Sequence, residues 1–586
     1  MANGKHGIAS DDYVEIENGV INITTTANAA KGVKANDYID MTGGTITITQ
    51  SGSKVIEDGD VNYSSGLKAD STISIRGGSL TINSSAEGGK GLNADMGVYV
   101  SGGTVEINLT GSGGTYSQAA VDATATGSSS GGSTSGSYTV YFYAVASSGG
   151  MGGPGGSSSQ WSNVQLYKED GTLVGTLSTK TVSDYTAYYY TFPSGTTGNY
   201  YFQGTYTSQS RPGSTGTSYT CKTATFAAPT SADAYYRPGT YSTSGSTRTY
   251  TLTTWDPSSY QPGGGGSWGG TTDTDTQTFT CTCIKCDGEI SITGGTLTLN
   301  ATGTKGTCGI KTDGNLTIGN AGTTGPTMNI KTTGTYVSQT SSGMESAYSG
   351  DPKGIKAEGD ILMYAGEVYV STTGTAGEGV ESKSYIEIAG GKLYSISQDE
   401  DAINCSGIIK VSGGWVYAVS NGNDAIDSNY GRSGAFTITD GVVVALSSKG
   451  SPEEGLDCDN NSYLTIQGGY VFTGGAAQGG GSGTSSSVGS ASQGYCFTSS
   501  YAITSGNYYT VKNASGTVLF SIKALTSVSS NNNSLSLISA PALTKSGTNS
   551  IVYGTAEPTG DSSWAGYIYV GGSTTNSTSA KTFTGK

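Results

Sequence analysis

Short stretches of alternating apolar and polar residues recur along the chain, and a Gly-Gly pair interrupts each of them. Examples are "ISIRGGSLTI" from Ile73, "ISITGGTLTL" from Ile290 and "IEIAGGKLYSI" from Ile386. Strict alternation predicts β-strands with one buried face, and glycine supplies the sharply bent backbone of a corner between two strands. No helical periodicity of useful length occurs. The pattern therefore predicts an all-β protein.

A second motif, in which an apolar residue lies between small residues, precedes most of the Gly-Gly strands. Several successive copies lie 23 to 26 residues apart. One copy cannot bury its apolar face alone, so the copies must stack as in a solenoid. We predict a right-handed, single-stranded parallel β-helix of about twelve turns; a β-propeller would need longer repeats with four strands each. The apolar residues of the motif are Ile8, Val33, Leu67, Leu92, Val121, Ile284, Ile310, Ile355, Val380, Ile403, Ile426 and Leu456.

The repeat is interrupted after Val121 and resumes at Ile284, and Gly/Ser-rich stretches at 127–137 and 261–270 flank the interruption. Strand patterns such as "YTVYFYAV" from Tyr138 predict a small antiparallel β domain between these tethers. The repeat also ends before residue 500, where we expect a β cap because an open solenoid end exposes unpaired backbone. The predicted units are 1–126 (early turns), 127–275 (inserted domain), 276–499 (late turns) and 500–586 (cap).

The composition of the chain limits which classes of binding partner are compatible with it. The chain has 586 residues and a formal net charge of -15, which argues against a nucleic-acid partner because phosphate binding needs clustered lysine and arginine. No apolar run is long enough for a membrane span. The first residues show no secretion signal, but the Ser/Thr/Gly/Tyr-rich composition is typical of exported proteins, so we expect an extracellular or cell-surface location. Assembly into oligomers or fibres stays open.

Carboxylates recur at two positions of the late repeats. "DAINCSG" from Asp401 and "DAIDSNY" from Asp424 carry acids where the early repeats carry lysines such as Lys31 and Lys90. Stacked carboxylates repel unless they are protonated, and calcium relieves this repulsion because it accepts six to eight oxygen ligands. We therefore predict calcium between the turns, although turn residues exposed to solvent would show the same letters. The predicted ligands are Asp401, Asn404, Asp424, Asp427, Glu454, Asp457 and Asp459.

Aromatic residues recur beyond the Gly-Gly corner of the late repeats, at positions that should point outward. A row of exposed rings can stack against the apolar face of a sugar. The same row could instead stabilise the sheet by ring contacts, or lie under a loop. The predicted carbohydrate-binding residues are Tyr369, Tyr394, Trp415, Tyr417 and Tyr470.

Together, "KGIKAEGDI" (Lys353 to Ile361), the Gly-Gly strands and the "DAI" turns resemble a bacterial carbohydrate-binding β-helix family, typified by a clostridial cellulose- and acid-sugar-binding protein. The resemblance covers 4–126 and 278–475. It implies a secreted or surface protein, bound calcium, and binding to cellulose or pectic chains without known catalysis. The early turns depart from the pattern, since they carry lysine where calcium needs an acid.

These observations favour a non-catalytic polysaccharide-binding protein that calcium stabilises. Two alternatives remain open. A calcium-dependent polysaccharide lyase would need a basic residue, for which Lys356 near Glu381 and Arg432 near Asp427 are the candidates. A structural surface fibre or adhesin would use the stacked ladders for rigidity only.

Overall fold

The computed structural model contains β-structure almost throughout. It describes residues 6–57, 60–117, 138–146, 159–182, 185–192, 196–208, 217–229, 234–254, 276–337, 350, 352–476, 487–499, 501–529 and 534–586. Within these residues the strands are joined by turns, and the helical structure is a single 3-10 turn at Asn461–Tyr463. The prediction of an all-β protein is confirmed.

The chain divides into two compact units, one of residues 1–127 and 275–586 and one of residues 128–274. In the first unit, eleven parallel strands form one sheet among the described residues. Each of these strands carries the small-apolar-small motif; Val121 of the same motif lies outside the described residues. The strands are Ile8–Ser10, Lys31–Ala35, Ser65–Ala69, Lys90–Ala94, Cys281–Cys286, Thr307–Thr312, Lys353–Ala357, Glu378–Ser382, Ile403–Cys405, Ile426–Ser428 and Leu456–Asp457.

A second large sheet contains the strands on either side of the Gly-Gly corners. The strands before the corner are Val14–Ile16, Ile39–Met41, Thr72–Ile75, Gly97–Val100, Glu289–Ile292, Leu316–Ile318, Ile361–Met363, Tyr385–Ile388, Leu464–Ile466 and Ser490–Ala491. Those after it are Val20–Thr25, Thr45–Gln50, Ser79–Ser84, Thr104–Leu109, Thr296–Ala301, Thr327–Thr332, Glu367–Thr372, Lys392–Ser397 and Tyr470–Ala476. Ile408–Ser420 and Phe436–Ser447 each continue through the corner and so join the two rows.

Successive passes of the chain pair in parallel and in register. Ile73 pairs with Val98, and Val98 pairs with Ile290 across the inserted residues. The corner glycines stack as well: Gly78 has φ +78°, and a Cβ there would lie 2.6 Å from the Gly44 carbonyl oxygen. A larger residue would push the two coils apart at this point. Parallel sheets of many strands are thus confirmed, while the right-handed closure and the count of twelve turns stay predictions.

The inward side chains of both sheets form one continuous apolar core. Ile, Val and Leu alternate inward along each strand, as the sequence pattern predicts. Five cysteines belong to this core, namely Cys281, Cys283, Cys286, Cys405 and Cys458, and all eight cysteines of the chain are buried free thiols. Burial raises the pKa of the Cys281 and Cys308 thiols to about 11, so both stay protonated at neutral pH.

The second unit is a predominantly antiparallel sheet around its own aromatic core. Trp161, Phe142 and Phe202 lie at the centre of this core and are fully buried. Its strands are Tyr138–Phe142, Ser162–Lys168, Leu173–Thr176, Ser178–Val182, Tyr185–Phe192, Asn199–Ser208, Thr217–Thr223, Phe226–Ala227, Ala234–Ser244 and Thr247–Thr254, with a separate pair at Val145–Ala146 and Ser159–Gln160. The two Gly/Ser stretches that flank the insertion lie outside the described residues.

The last part of the chain adds antiparallel structure to the end of the second sheet. Strands Gly494–Ser499 and Ser534–Ala540 pair with each other, and the latter also pairs with Tyr470–Ala476. A six-stranded antiparallel sheet, which we call the C-terminal sheet, follows. Its strands are Tyr508–Lys512, Val518–Lys523, Thr548–Gly554, Ser562–Trp564, Ile568–Val570 and Thr578–Thr584. Two antiparallel strand pairs complete the first unit: Val55–Glu57 with Asp60–Asn62, and Gly114–Ser117 with Thr276–Phe279.

Candidate functional site

The predicted metal ligands lie in two columns along the first sheet. In one column Asn404 pairs with Asp427, and Asp427 pairs with Asp457. The other column, which we call the acidic column, contains Asp401, Asp424 and Glu454. Each of these residues lies two positions before one of the register-paired residues Ile403, Ile426 and Leu456. The prediction that equivalent residues of successive coils stack is confirmed by this register.

The acidic column is buried and bonded to the backbone of the next coil. Asp401, Asp424 and Glu454 are only 3%, 8% and 5% exposed. The backbone N–H of Asp424 donates to Asp401 Oδ1 at 3.1 Å, and the N–H of Glu454 donates to Asp424 Oδ1. Asn404 Nδ2 donates to Asp401 Oδ2 at 2.7 Å. Glu454 Oε1, by contrast, is buried without a hydrogen-bond partner among the described residues.

Burial and mutual repulsion hold these carboxyl groups toward their neutral form. Burial, with repulsion from neighbouring acids, raises the pKa of Asp424 to about 8, of Asp427 to about 7 and of Glu454 to about 9. The pKa of Asp401 is also raised well above its usual range, first by burial and then by Asp427. Within the described residues, neither Lys nor Arg forms an ion pair with Asp401, Asp424 or Glu454. The column therefore lacks compensating positive charge.

The remaining predicted ligands lie nearer the surface. Asp427 Oδ2 accepts a hydrogen bond from Asn429 at 2.6 Å, and Asp457 Oδ1 accepts one from the Asp459 N–H at 2.7 Å. Asp459 is exposed, with a φ of +62°, as expected of a turn residue. Across the ranges that the structure describes, no three His, Cys, Asp or Glu side chains are already grouped to hold a metal ion.

The acidic column continues a column of lysines from the earlier coils. Lys353 pairs in register with Glu378, and its Nζ lies 2.8 Å from Glu378 Oε2 and 3.2 Å from Glu381 Oε2. Burial alone would raise the pKa of Glu381, but Lys353, Lys356 and Lys383 together lower it to about 2. The change from lysine to carboxylate therefore occurs at a compensated cluster, and the uncompensated acids begin one coil later.

The predicted sugar-binding rings form the row that the sequence indicated. Tyr369, Tyr394 and Tyr417 pair in register, with ring centroids 6.1 and 6.2 Å apart. Their outer faces meet the C-terminal sheet: the Tyr417 hydroxyl donates to the Lys523 carbonyl at 2.5 Å, and Trp564 Nε1 lies 3.4 Å from the Tyr369 hydroxyl. Tyr417 is fully buried, so it offers no surface to a sugar in this structure.

Trp415 and Tyr470 belong to the same outward cluster and are half-buried against it, like Tyr369 and Tyr394. The Tyr470 ring lies 5.6 Å from that of Phe520 in the C-terminal sheet. Sugar contact by these four residues stays a prediction. Ile396 and Val419 also pack in this outward cluster, whereas Leu393 and Val416 of the same strands are inward.

Sequence reasoning missed a groove in the early coils. Its volume is about 300 Å³, and the outward side chains of Lys34, Lys68 and Asn93 form part of its lining together with Asn62 and Tyr63. The first three residues occupy one repeat position, so the sequence already placed them together. The hairpin of Val55–Glu57 and Asp60–Asn62 contributes the rest, and its position could not be derived from the repeat.

Comparison with known proteins gives one match. A family model described as "Carbohydrate-binding domain-containing protein" matches residues 1–141. No curated protein and no solved structure matches the chain. Among the described residues, no helix has the length and apolar character that would let it cross a membrane. The family match supports a polysaccharide-binding role and is compatible with an extracellular location.

Proposed function

We propose that the protein is a non-catalytic, secreted or cell-surface polysaccharide-binding protein, built as a right-handed parallel β-helix of about twelve turns and stabilised by calcium. Its ligands would be cellulose or pectic chains. The observation that carries the binding role is the family match over residues 1–141. The stacked strands support the solenoid interpretation, because equivalent residues of successive coils pair in register.

The acidic column supports the calcium part of the proposal. Its donors are carboxylate oxygens, which calcium prefers, and Glu454 Oε1 is buried without a partner. Asp424, Asp427, Glu454 and Asp457 would hold the ion, with Asp401, Asn404 and Asp459 beside them. Bound calcium would supply the positive charge that the column lacks. Side-chain rotations would be needed to bring the oxygens together, because no three of these side chains are already grouped around one point in the described residues.

The surroundings of the two candidate basic residues fit a sugar-binding protein better than a lyase that acts by β-elimination. Lys356 Nζ lies 3.3 Å from Glu358 Oε1 and 3.8 Å from Glu381 Oε2, so its charge is already engaged. The Arg432 guanidinium lies over the Tyr430 ring at 4.5 Å. Neither residue lines the groove in the early coils.

Two measurements on the full chain test this proposal. Co-sedimentation with insoluble cellulose and with calcium pectate should retain the protein, and unsaturated products absorbing in the ultraviolet should not form. Thermal unfolding with calcium at ten times its Kd should show about 1.4 kcal/mol more stability than with a chelator, because calcium would bind only the folded form.

A double variant, Asp424→Asn with Glu454→Gln, should lose this calcium response. Asp287→Asn is the matched control, since Asp287 pairs with Lys285 in a coil outside the acidic column. A calcium response that survives in the double variant contradicts the assigned calcium site, whereas failure to sediment with any polysaccharide contradicts the binding role.

A further inference from the structure

The groove in the early coils has the size and lining of a small ligand site. Its lining includes Lys34, Lys68 and Asn93, which pair in register on three successive strands of the first sheet. Asn62 and Tyr63 line one side, at the end of the neighbouring hairpin. At about 300 Å³, the groove lies at the lower end of the range typical of ligand pockets.

The polar groups of the groove differ in whether they already have a hydrogen-bond or ion-pair partner. Lys68 Nζ lies 3.2 Å from Asp70 Oδ1 and also pairs with Asp95, so its charge is compensated. Among the described residues, Lys34 forms no ion pair, and the side-chain amides of Asn62 and Asn93 form no hydrogen bond. Lys34 is thus a lining cation without an ion pair, and it lies in the same groove as two unused amides. Glu57 and Asp70 also line the groove, and Asp70 is paired with Lys68.

These groups define the chemistry of a fitting ligand. An uncompensated ammonium group favours one anionic group, because hydrogen bonds between ions are stronger than neutral ones. Two amides, each a donor and an acceptor, fit neighbouring hydroxyl groups.

We propose that this groove binds a saccharide unit that carries one anionic group, either a carboxylate or a sulfate ester, with Lys34 contacting the anion and Asn62 and Asn93 contacting hydroxyl groups. The inference rests on the proposed polysaccharide-binding function and places a binding site for it in the early coils. This site is separate from the aromatic row under the C-terminal sheet.

Calorimetric titration of the full chain with three trisaccharides tests the groove. Trigalacturonate carries carboxylates, a sulfated galactan trisaccharide carries sulfate esters, and cellotriose is neutral. The wild type should bind one of the two anionic ligands at least about tenfold more tightly than cellotriose, and the tighter one identifies the anion. Lys34→Gln should weaken that ligand about tenfold and leave cellotriose binding unchanged, since one charge-assisted hydrogen bond is lost.

Lys311→Gln is the matched control. Lys311 occupies the same repeat position, is half-buried like Lys34, and lies outside the groove. Its substitution should change no affinity, and neither variant should change the melting temperature. Asn93→Ala should lower the affinity for every trisaccharide that the wild type binds.

Two results would contradict saccharide binding in the groove but leave the proposed function intact. One is equal trisaccharide affinity of the wild type and Lys34→Gln. The other is no trisaccharide binding by a protein that still sediments with polysaccharide. Equal affinity for anionic and neutral trisaccharides would overturn the role of Lys34. Absence of both trisaccharide binding and sedimentation would overturn the proposed function itself.

Discussion

The early and late coils share one backbone pattern but carry opposite surfaces. On the outward face of the second sheet, the early coils carry polar residues. Asn83 and Asn108 there, with Asn300 in the first coil after the insertion, form a ladder of hydrogen bonds of 3.0 and 2.8 Å. The equivalent face of the late coils carries Tyr, Val and Phe under the C-terminal sheet. The inward residues are apolar in both regions. The inward residues and the corner glycines therefore determine how the coils stack, and the outward residues can differ between coils without changing that stacking.

In the first sheet, the early and late coils also differ in the charge of their buried residues. Lys31 and Lys90 are buried in early coils, whereas Asp401, Asp424 and Glu454 occupy the column in late coils. Lys90 Nζ donates to the Thr280 carbonyl, and burial lowers its pKa to about 7. Buried charge of either sign is costly without a partner. The early coils supply backbone oxygens as partners, whereas burial and mutual repulsion raise the pKa values of the late acids and so favour their neutral form.

The largest difference between the two regions should come from substitutions at the third residue after the Gly-Gly corner, which points outward. Tyr417→Ala should cost about 4 kcal/mol of unfolding free energy, because it empties a fully buried aromatic site between two sheets. Thr81→Ala, at the equivalent position of an early coil, should cost less than about 0.5 kcal/mol. Urea unfolding of both variants measures the difference.

Hydrogen exchange sharpens this test. In Tyr417→Ala, the amides of Val518–Lys523 should exchange faster, since the Tyr417 hydroxyl bonds to the Lys523 carbonyl. If both substitutions cost equally little, the C-terminal sheet does not pack on the aromatic row in solution. That result would make the row available to sugars, as the sequence analysis predicted.

A smaller effect should separate two lysines of the buried column. Lys353→Met should cost about 3 kcal/mol, because it leaves Glu378 and Glu381 in a buried site without their shared cation. Lys90→Met should change the stability by less than about 1 kcal/mol, since the partners of Lys90 are neutral and a buried ammonium is itself costly. Equal losses in the two variants would contradict the assigned ion pairs. Thermal and urea unfolding provide the measurement.

Much of the first unit follows from the sequence, because its repeat fixes both register and side-chain direction. The spacing of Ile403, Ile426 and Leu456 predicted the strands that pair, and hence the stacking of the acids beside them. What the repeat could not predict depends on segments outside it. The hairpin that forms the groove and the C-terminal sheet that covers Tyr417 contact the coils through side chains with no repeat position of their own.

The aromatic row shows what the sequence pattern alone could not predict. Alternation correctly places Tyr369, Tyr394 and Tyr417 on the outward face, but outward in one strand is not the same as exposed in the protein. The signal was present in the neighbouring residues: Val442, Val444 and Leu446 are also outward and apolar, which is unusual for a face in water. A continuous apolar outer face predicts a covering element, whereas isolated rings between polar residues would predict a binding surface.

The boundary between lysines and acids gives the smallest and most specific prediction, a pH dependence. The pKa of Glu381 is about 2 in the folded protein and near its ordinary value of 4.5 when unfolded. The unfolded chain therefore binds the proton first as the pH falls, so the contribution of Glu381 to stability is complete above about pH 4.5 and is lost toward pH 2. Between pH 7 and pH 3 the loss should be about 2 kcal/mol.

Other carboxyl groups titrate in this range, and those with raised pKa values contribute with the opposite sign, so the wild-type curve alone is ambiguous. The decisive quantity is the difference in unfolding free energy between wild type and Glu381→Gln at each pH. This difference should be largest near neutral pH and shrink steadily below pH 4.5, because the variant carries no titrating group at this position. A difference that stays constant from pH 7 to pH 3 would mean that Lys353, Lys356 and Lys383 do not stabilise the Glu381 carboxylate, and that the boundary between the two regions is not an ion-paired cluster.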